Sequence, residues 1–138
     1  MEIDVIKLLK LNASIENILS GFDDLYESKK VNLTLKDKFL IFLSEGPLTP
    51  YKLINLLGVA KTNLVLLSNS LLDEKLIVKN KDEIDKRNIV YSITQEGEKR
   101  VEEIIFKINV YLNNQQKFKS NAEGINENID KILSFFSK

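Results

Sequence analysis

Apolar residues recur along this chain at two different periods, and the switch between them sets the expected architecture. Ile15, Ile18, Leu19, Phe22 and Leu25 follow one another at three- and four-residue steps, with Leu8 and Leu11 upstream on the same stripe. That spacing predicts an amphipathic helix over residues 3–28. It is expected to fray in Glu27-Ser28-Lys29-Lys30, before the polar Asn32. A second helix is predicted over about 35–44, opened by Thr34 as N-cap and stopped by Glu45-Gly46-Pro47. It carries Phe39, Leu40, Phe42 and Leu43.

The third helix has the clearest punctuation. Thr49 is a good N-cap, and Pro50 suits the first helical position, where no amide hydrogen bond is lost. Leu48 and Leu53 stand at the spacing of a hydrophobic staple, and Gly58 suits a left-handed C-cap after Leu57. Val59-Ala60-Lys61 then leads directly into a fourth helix over about 61–75. Two short helices joined by a tight glycine-containing turn form a helix-turn-helix pattern.

After the fourth helix the period falls to two. Leu76-Ile77-Val78 and Ile89-Val90-Tyr91-Ser92-Ile93 are rich in β-branched residues and read as strands around the polar segment 80–88. A hairpin in that position makes the pattern a winged helix. Thr94 then caps a long helix whose apolar stripe is Val101, Ile104, Ile105, Ile108, Tyr111 and Leu112. The polar stretch Lys119-Ser120-Asn121 interrupts it, and a last helix carries Ile125, Ile129, Ile132, Leu133 and Phe136. The expected fold class is mainly α with a small β-hairpin wing. One domain spans residues 1–138, with helical arms at 1–30 and 95–138 around a winged helix-turn-helix lobe at 31–94.

Composition removes whole classes of chemistry. Among 138 residues there is no cysteine and no histidine, and twenty basic residues balance twenty acidic ones. Thiol nucleophiles, disulfides, thiolate metal sites and imidazole acid–base groups are therefore absent. Carboxylates and lysines are plentiful, but no spacing marks an acid–base pair and no glycine-rich phosphate loop is present. An enzyme is not expected, and neither a cofactor nor a metal. No window nears the roughly 18 apolar residues of a membrane span. The first residues, MEIDVIKLLKL, lack a basic n-region and a small-residue cleavage site, so a cytoplasmic protein with no membrane partner is expected.

Three stretches in order resemble the MarR family of bacterial winged-helix transcription regulators. They are LTPYKLINLLGVAKTNLVLLSNSLLDEKLI at 48–77, Asp85-Lys86-Arg87 in the wing, and Ile93-Thr94-Gln95-Glu96-Gly97 at the start of the long helix. The likeness covers about 33–100 in motif and the whole chain in order of elements. It implies a homodimer with interleaved first and last helices, acting as a regulator, in most cases a repressor, of double-stranded DNA. The terminal helices support a dimer independently: Leu8, Leu11, Ile132, Phe135 and Phe136 exceed what one small winged lobe can cover. A two-fold dimer sets its recognition helices about 34 Å apart, one turn of DNA, and so implies a palindromic site.

On a helical wheel of the fourth helix, Leu64, Leu67, Leu71 and Lys75 fall on the inner side. Thr62, Leu66, Asn69 and Asp73 fall on the outer, with Asn63, Val65 and Ser70 at the margins. In a major groove Asn69 can pair with adenine, while Val65, Leu66 and the Thr62 methyl can meet thymine methyls, a surface biased towards A·T-rich sites. The expected DNA-contacting set is Pro50, Lys61, Thr62, Asn63, Val65, Leu66, Asn69, Lys86 and Arg87. Arg87 at the wing suits a narrow minor groove; its alternative is a surface ion pair with Asp85 or Asp82.

The charge pattern pulls the other way. The resemblance implies basic residues, commonly arginine, where this chain has Leu66 and Ser70. Residues 46–93 carry seven cations and five anions, a net of plus two, so modest affinity or dependence on low salt is expected. The rival reading is a winged-helix dimer that works by protein–protein interaction, antagonising another regulator, with Leu66 in a protein-contact patch. The resemblance further implies a small-molecule site between the dimer helices and the DNA-binding lobe, open to an apolar or phenolic effector. Phe22, Tyr26, Phe39, Phe42 and Tyr111 are candidates to line it, with core packing the alternative for each.

Overall fold

A computed structural model describes residues 2–19, 22–24, 29–31 and 33–136 of the chain. Its elements run α1 (Val5–Leu19), β1 (Phe22–Asp24), β2 (Lys29–Val31), α2 (Leu35–Leu43), α3 (Pro50–Leu57) and α4 (Lys61–Asp73). They continue with β3 (Ile77–Lys81), β4 (Ile89–Ile93), α5 (Gln95–Asn113), α6 (Gln116–Lys119) and α7 (Ala122–Phe136).

The core lies between α2, α3, α4 and the β3–β4 hairpin. Phe39, Leu40 and Leu43 of α2, Leu53 of α3, and Leu64 and Leu71 of α4 are buried together with Leu76, Ile77, Tyr91 and Val101. The helices that enclose it begin where threonine caps allow. Thr34 accepts from the Asp37 amide while the Asp37 carboxylate accepts from the Thr34 amide, a reciprocal capping box. Thr49 accepts from the Lys52 amide, with Pro50 inside the first turn. Gly58 ends α3 in the left-handed region at φ 65°.

The wing is antiparallel, with Ile77 opposite Ile93 and Lys81 opposite Ile89. It gains a third backbone partner that periodicity did not reveal. The Leu48 amide donates to the Tyr91 carbonyl at 3.1 Å and the Tyr91 amide donates back at 2.9 Å. A single residue pair of this kind leaves no period-two signature, so Leu48 read only as a helix staple.

Three boundaries differ from the sequence expectation. The first helix ends at Leu19 instead of running to 28, and β1 and β2 follow as a hairpin beside α5. Phe22 therefore lies in a strand, as do Lys29 and Lys30; Leu25, Glu27 and Ser28 lie outside the described residues. Gly21 costs a helix about 1 kcal/mol relative to alanine, and the strand register sets Asp23 opposite Lys30 and Asp24 opposite Lys29. The long helix stops at Asn113 rather than near 119, with one turn of helix, α6, between it and α7. Asn114 Nδ2 donates to the Val110 carbonyl at 3.0 Å, the local competition by which asparagine ends helices.

Third, α4 ends at Asp73, and Lys75 is exposed instead of inward-facing. The Leu76 amide reaches the Leu71 carbonyl and the Lys75 amide the Leu72 carbonyl, a Schellman closure that places Lys75 at φ 61°. A side chain is strained there, by about 1 kcal/mol. Lys75→Gly should therefore raise unfolding stability by up to about 1 kcal/mol in a urea titration.

Candidate nucleic-acid interface

The fourth helix divides by exposure much as its angles require. Leu64 and Leu71 are buried and Leu67 half-buried, whereas Thr62, Asn63, Val65, Leu66, Asn69 and Asp73 are exposed. Leu66 keeps 68% of its surface open to solvent and Val65 48%. With Thr62 and Asn69 they occupy one face at three- and four-residue steps, so they present a single strip. Lys61 is exposed at the start of the helix, and Pro50 is half-buried at the start of α3.

One residue on the inner face was missed. Ser68 is buried among leucines, and its hydroxyl donates to the Val65 carbonyl at 3.0 Å while accepting from the Tyr91 hydroxyl at 3.3 Å. Tyr91 in turn packs edge-on against Phe39, ring centroids 5.9 Å apart. The exposed face of α4 is thus backed by a satisfied polar pair that connects α4 to wing strand β4. The available signal was a serine at the inward-facing spacing between Leu64 and Leu71.

The N-terminus of α4 differs from those of α2, α3 and α5. Its cap is Ala60, and no side chain accepts from its first-turn amides. Those amides face whatever approaches, and the positive end of the helix dipole with Lys61 favours an anion such as a phosphate group. At its other end Glu74 forms an ion pair with Lys36 at 2.6 Å. The hydrogen bond from Lys36 holds the Glu74 carboxyl below the usual carboxylate range.

In the wing, the Arg87 side chain is 90% exposed. Its Nε donates to Asp85 Oδ1 at 3.0 Å and its Nη2 to Asp85 Oδ2 at 3.1 Å, a bidentate pair, while the Arg87 amide also donates to Asp85 Oδ1. These bonds hold the Asp85 carboxyl below its ordinary range, the side-chain hydrogen bond contributing most. The surface ion pair considered as the alternative for Arg87 is therefore present at the hairpin end. Lys86 is exposed beside it.

The lobe is tied to the long helix by Thr94 and Gly97. The Thr94 hydroxyl donates to the Lys75 carbonyl at 2.8 Å and accepts from the Gly97 amide at 3.1 Å, and the Thr94 amide donates to the Leu76 carbonyl. Arg100 of α5 lies 3.8 Å from Asp37, which is buried on α2.

Of the residues proposed to line an effector cavity, Phe39 is wholly buried in the core and faces Tyr91. It packs the lobe and lines no cavity, because the apolar period that made it a candidate is the same period that builds a core. Phe42 and Tyr111 are half-buried, and the side chains of Phe22 and Tyr26 lie outside the described residues. Among the described residues no group of three or more carboxylate, histidine or cysteine side chains is placed to hold a metal ion. No described helix is long and apolar enough to cross a membrane.

The arrangement is that of solved winged-helix regulators. The transcriptional regulator BldR from Sulfolobus solfataricus superposes with a TM-score of 0.67 at 22% identity, over 94% of each chain. A MarR family transcriptional regulator from Silicibacter pomeroyi gives 0.64 at 24% identity, over 75% of this chain and 72% of its own. The adhesin competence repressor AdcR from Streptococcus pyogenes gives 0.52 at 21% identity, over 96% of both chains. No family model and no curated protein matches by sequence. The chain has the winged-helix fold of MarR-family regulators.

Proposed function

We propose that this protein is a homodimeric transcriptional regulator, a repressor, that binds double-stranded DNA at an A·T-rich palindromic site. The observation that carries this reading is the exposed strip of α4, backed by the core, with the exposed Arg87 in the neighbouring wing. Thr62, Asn63, Val65, Leu66 and Asn69 enter the major groove. Pro50 and Lys61 lie along the backbone, and Lys86 and Arg87 reach the adjacent minor groove. The exposed pair with Asp85 is weak, so the Arg87 guanidinium exchanges it for the groove at little cost.

A second copy of the chain is the partner that the terminal helices require. Among the described residues none in α1 or α7 is buried, and Leu8, Leu11, Phe135 and Phe136 are exposed. Isolated helices of this length are marginal in water, so their apolar stripes need a cover. Interleaving with the same helices of a partner subunit supplies it and places two recognition helices on one side of the dimer.

The test is a fluorescence-anisotropy titration of the protein's own upstream DNA at several salt concentrations. A sequence-preferring complex whose affinity falls with salt is expected, and Arg87→Ala should weaken it by about tenfold or more. Absence of any sequence preference at low salt would overturn the DNA reading. It would favour protein–protein interaction through the patch around Leu66, whose exposure is what motivates that alternative.

A further inference from the structure

The reading strip of α4 carries an unusual chemistry for a surface that meets DNA. Its centre is Leu66 and Val65, side by side and open to solvent. Thr62 lies one turn before Leu66, and Asn69 less than a turn after it. The whole helix, Lys61–Asp73, contains one lysine, one aspartate and no arginine. Guanine is read in the major groove through its two acceptors, and arginine or lysine are the side chains that pair with them. On this helix only Lys61 could do so, and it stands at the extreme N-terminus. The apolar centre therefore has one complementary feature in the groove, the 5-methyl group of thymine.

Resting on the DNA-binding reading above, we infer that this regulator selects its site chiefly by thymine methyl groups packed against Leu66 and Val65, with the Thr62 methyl beside them. Asparagines Asn63 and Asn69 flank the strip and suit the adenine edge of the same pairs, whose N7 and N6 match a side-chain amide. Specificity then comes from burial of apolar surface and not from charge, consistent with the near-neutral balance of the lobe. Because Leu66 and Val65 are exposed in the free protein, they gain contact only on binding. Their backbone is held in place by the Ser68–Tyr91 pair and the leucines beneath.

Uracil differs from thymine only by that methyl, which makes the inference directly testable. A duplex recovered from a randomised pool by repeated binding is resynthesised with deoxyuridine replacing thymidine, one half-site position at a time. Each methyl that packs on the strip should cost about threefold to fivefold in affinity when removed, whereas replacements in the segment under the wing should cost little. Leu66→Ala, which leaves the buried face untouched, should keep its thermal midpoint, bind the thymidine duplex less tightly and lose the penalty for deoxyuridine. Equal affinity of the wild-type protein for thymidine and deoxyuridine duplexes overturns methyl reading and leaves DNA binding standing. An absence of binding to every duplex at low salt overturns both.

Discussion

Gly97→Ala should destabilise the protein by about 3 kcal/mol, lowering its thermal midpoint by roughly 10 °C. Alanine normally favours a helix over glycine, so propensity alone predicts the opposite sign. The first turn of α5 reverses it. A Cβ at Gly97 would collide with the Leu76 backbone carbonyl and lie 2.6 Å from Ile93 Cγ1. Neither neighbour is free to yield, because Leu76 is buried and its carbonyl accepts from the Thr94 amide. Moving α5 outward would break the hydrogen bonds from Thr94 to Lys75 and from Gly97 to Thr94. Circular-dichroism melting measures the effect; an unchanged or raised midpoint would show that α5 does not approach the wing this closely.

Phe39→Ala should cost about 3–5 kcal/mol, the usual range for emptying a phenylalanine site in a core. It faces Tyr91 of β4 and belongs to a buried cluster that also draws on Leu40 and Leu43 of α2, Leu53 of α3, and Leu64 and Leu71 of α4. No single one can collapse into the space without leaving another. The loss should appear as a lower urea midpoint with an unchanged slope. A loss below about 1 kcal/mol would restore Phe39 to the role of a cavity wall that was already partly empty.

How much of this was legible in the sequence depended on whether the decisive signal was local. The caps at Thr34, Thr49 and Thr94 and the turn at Gly58 stand at the residues expected, because capping chemistry acts over three or four positions. The inner and outer faces of α4 followed from its period, up to the Schellman closure that carried Lys75 out of the helix. What periodicity could not show was pairing at a distance. The Leu48–Tyr91 bridge and the Ser68–Tyr91 hydrogen bond span many residues, and each involves a lone pair of groups with no repeat to betray it. The early end of α1 was missed because Phe22 continues the helical spacing past Gly21, and the spacing outweighed the glycine in the reading. Of the residues expected at the candidate interface, Lys61, Thr62, Asn63, Val65, Leu66, Asn69, Lys86 and Arg87 are exposed and Pro50 is half-buried. The bidentate grip of Asp85 on Arg87 is a matter of side-chain geometry that the tripeptide alone leaves open.

One hydroxyl, that of Thr94, joins the Lys75 carbonyl just after α4 to the Gly97 amide in the first turn of α5. With Arg100 3.8 Å from Asp37 a little further along, α5 is joined to the lobe at a second point. Any movement of α4 relative to α5 at this junction therefore has to break these bonds first. The interruption of the helical arm around Asn114 and Gln115 lies beyond these contacts, so the arm can bend there without breaking them.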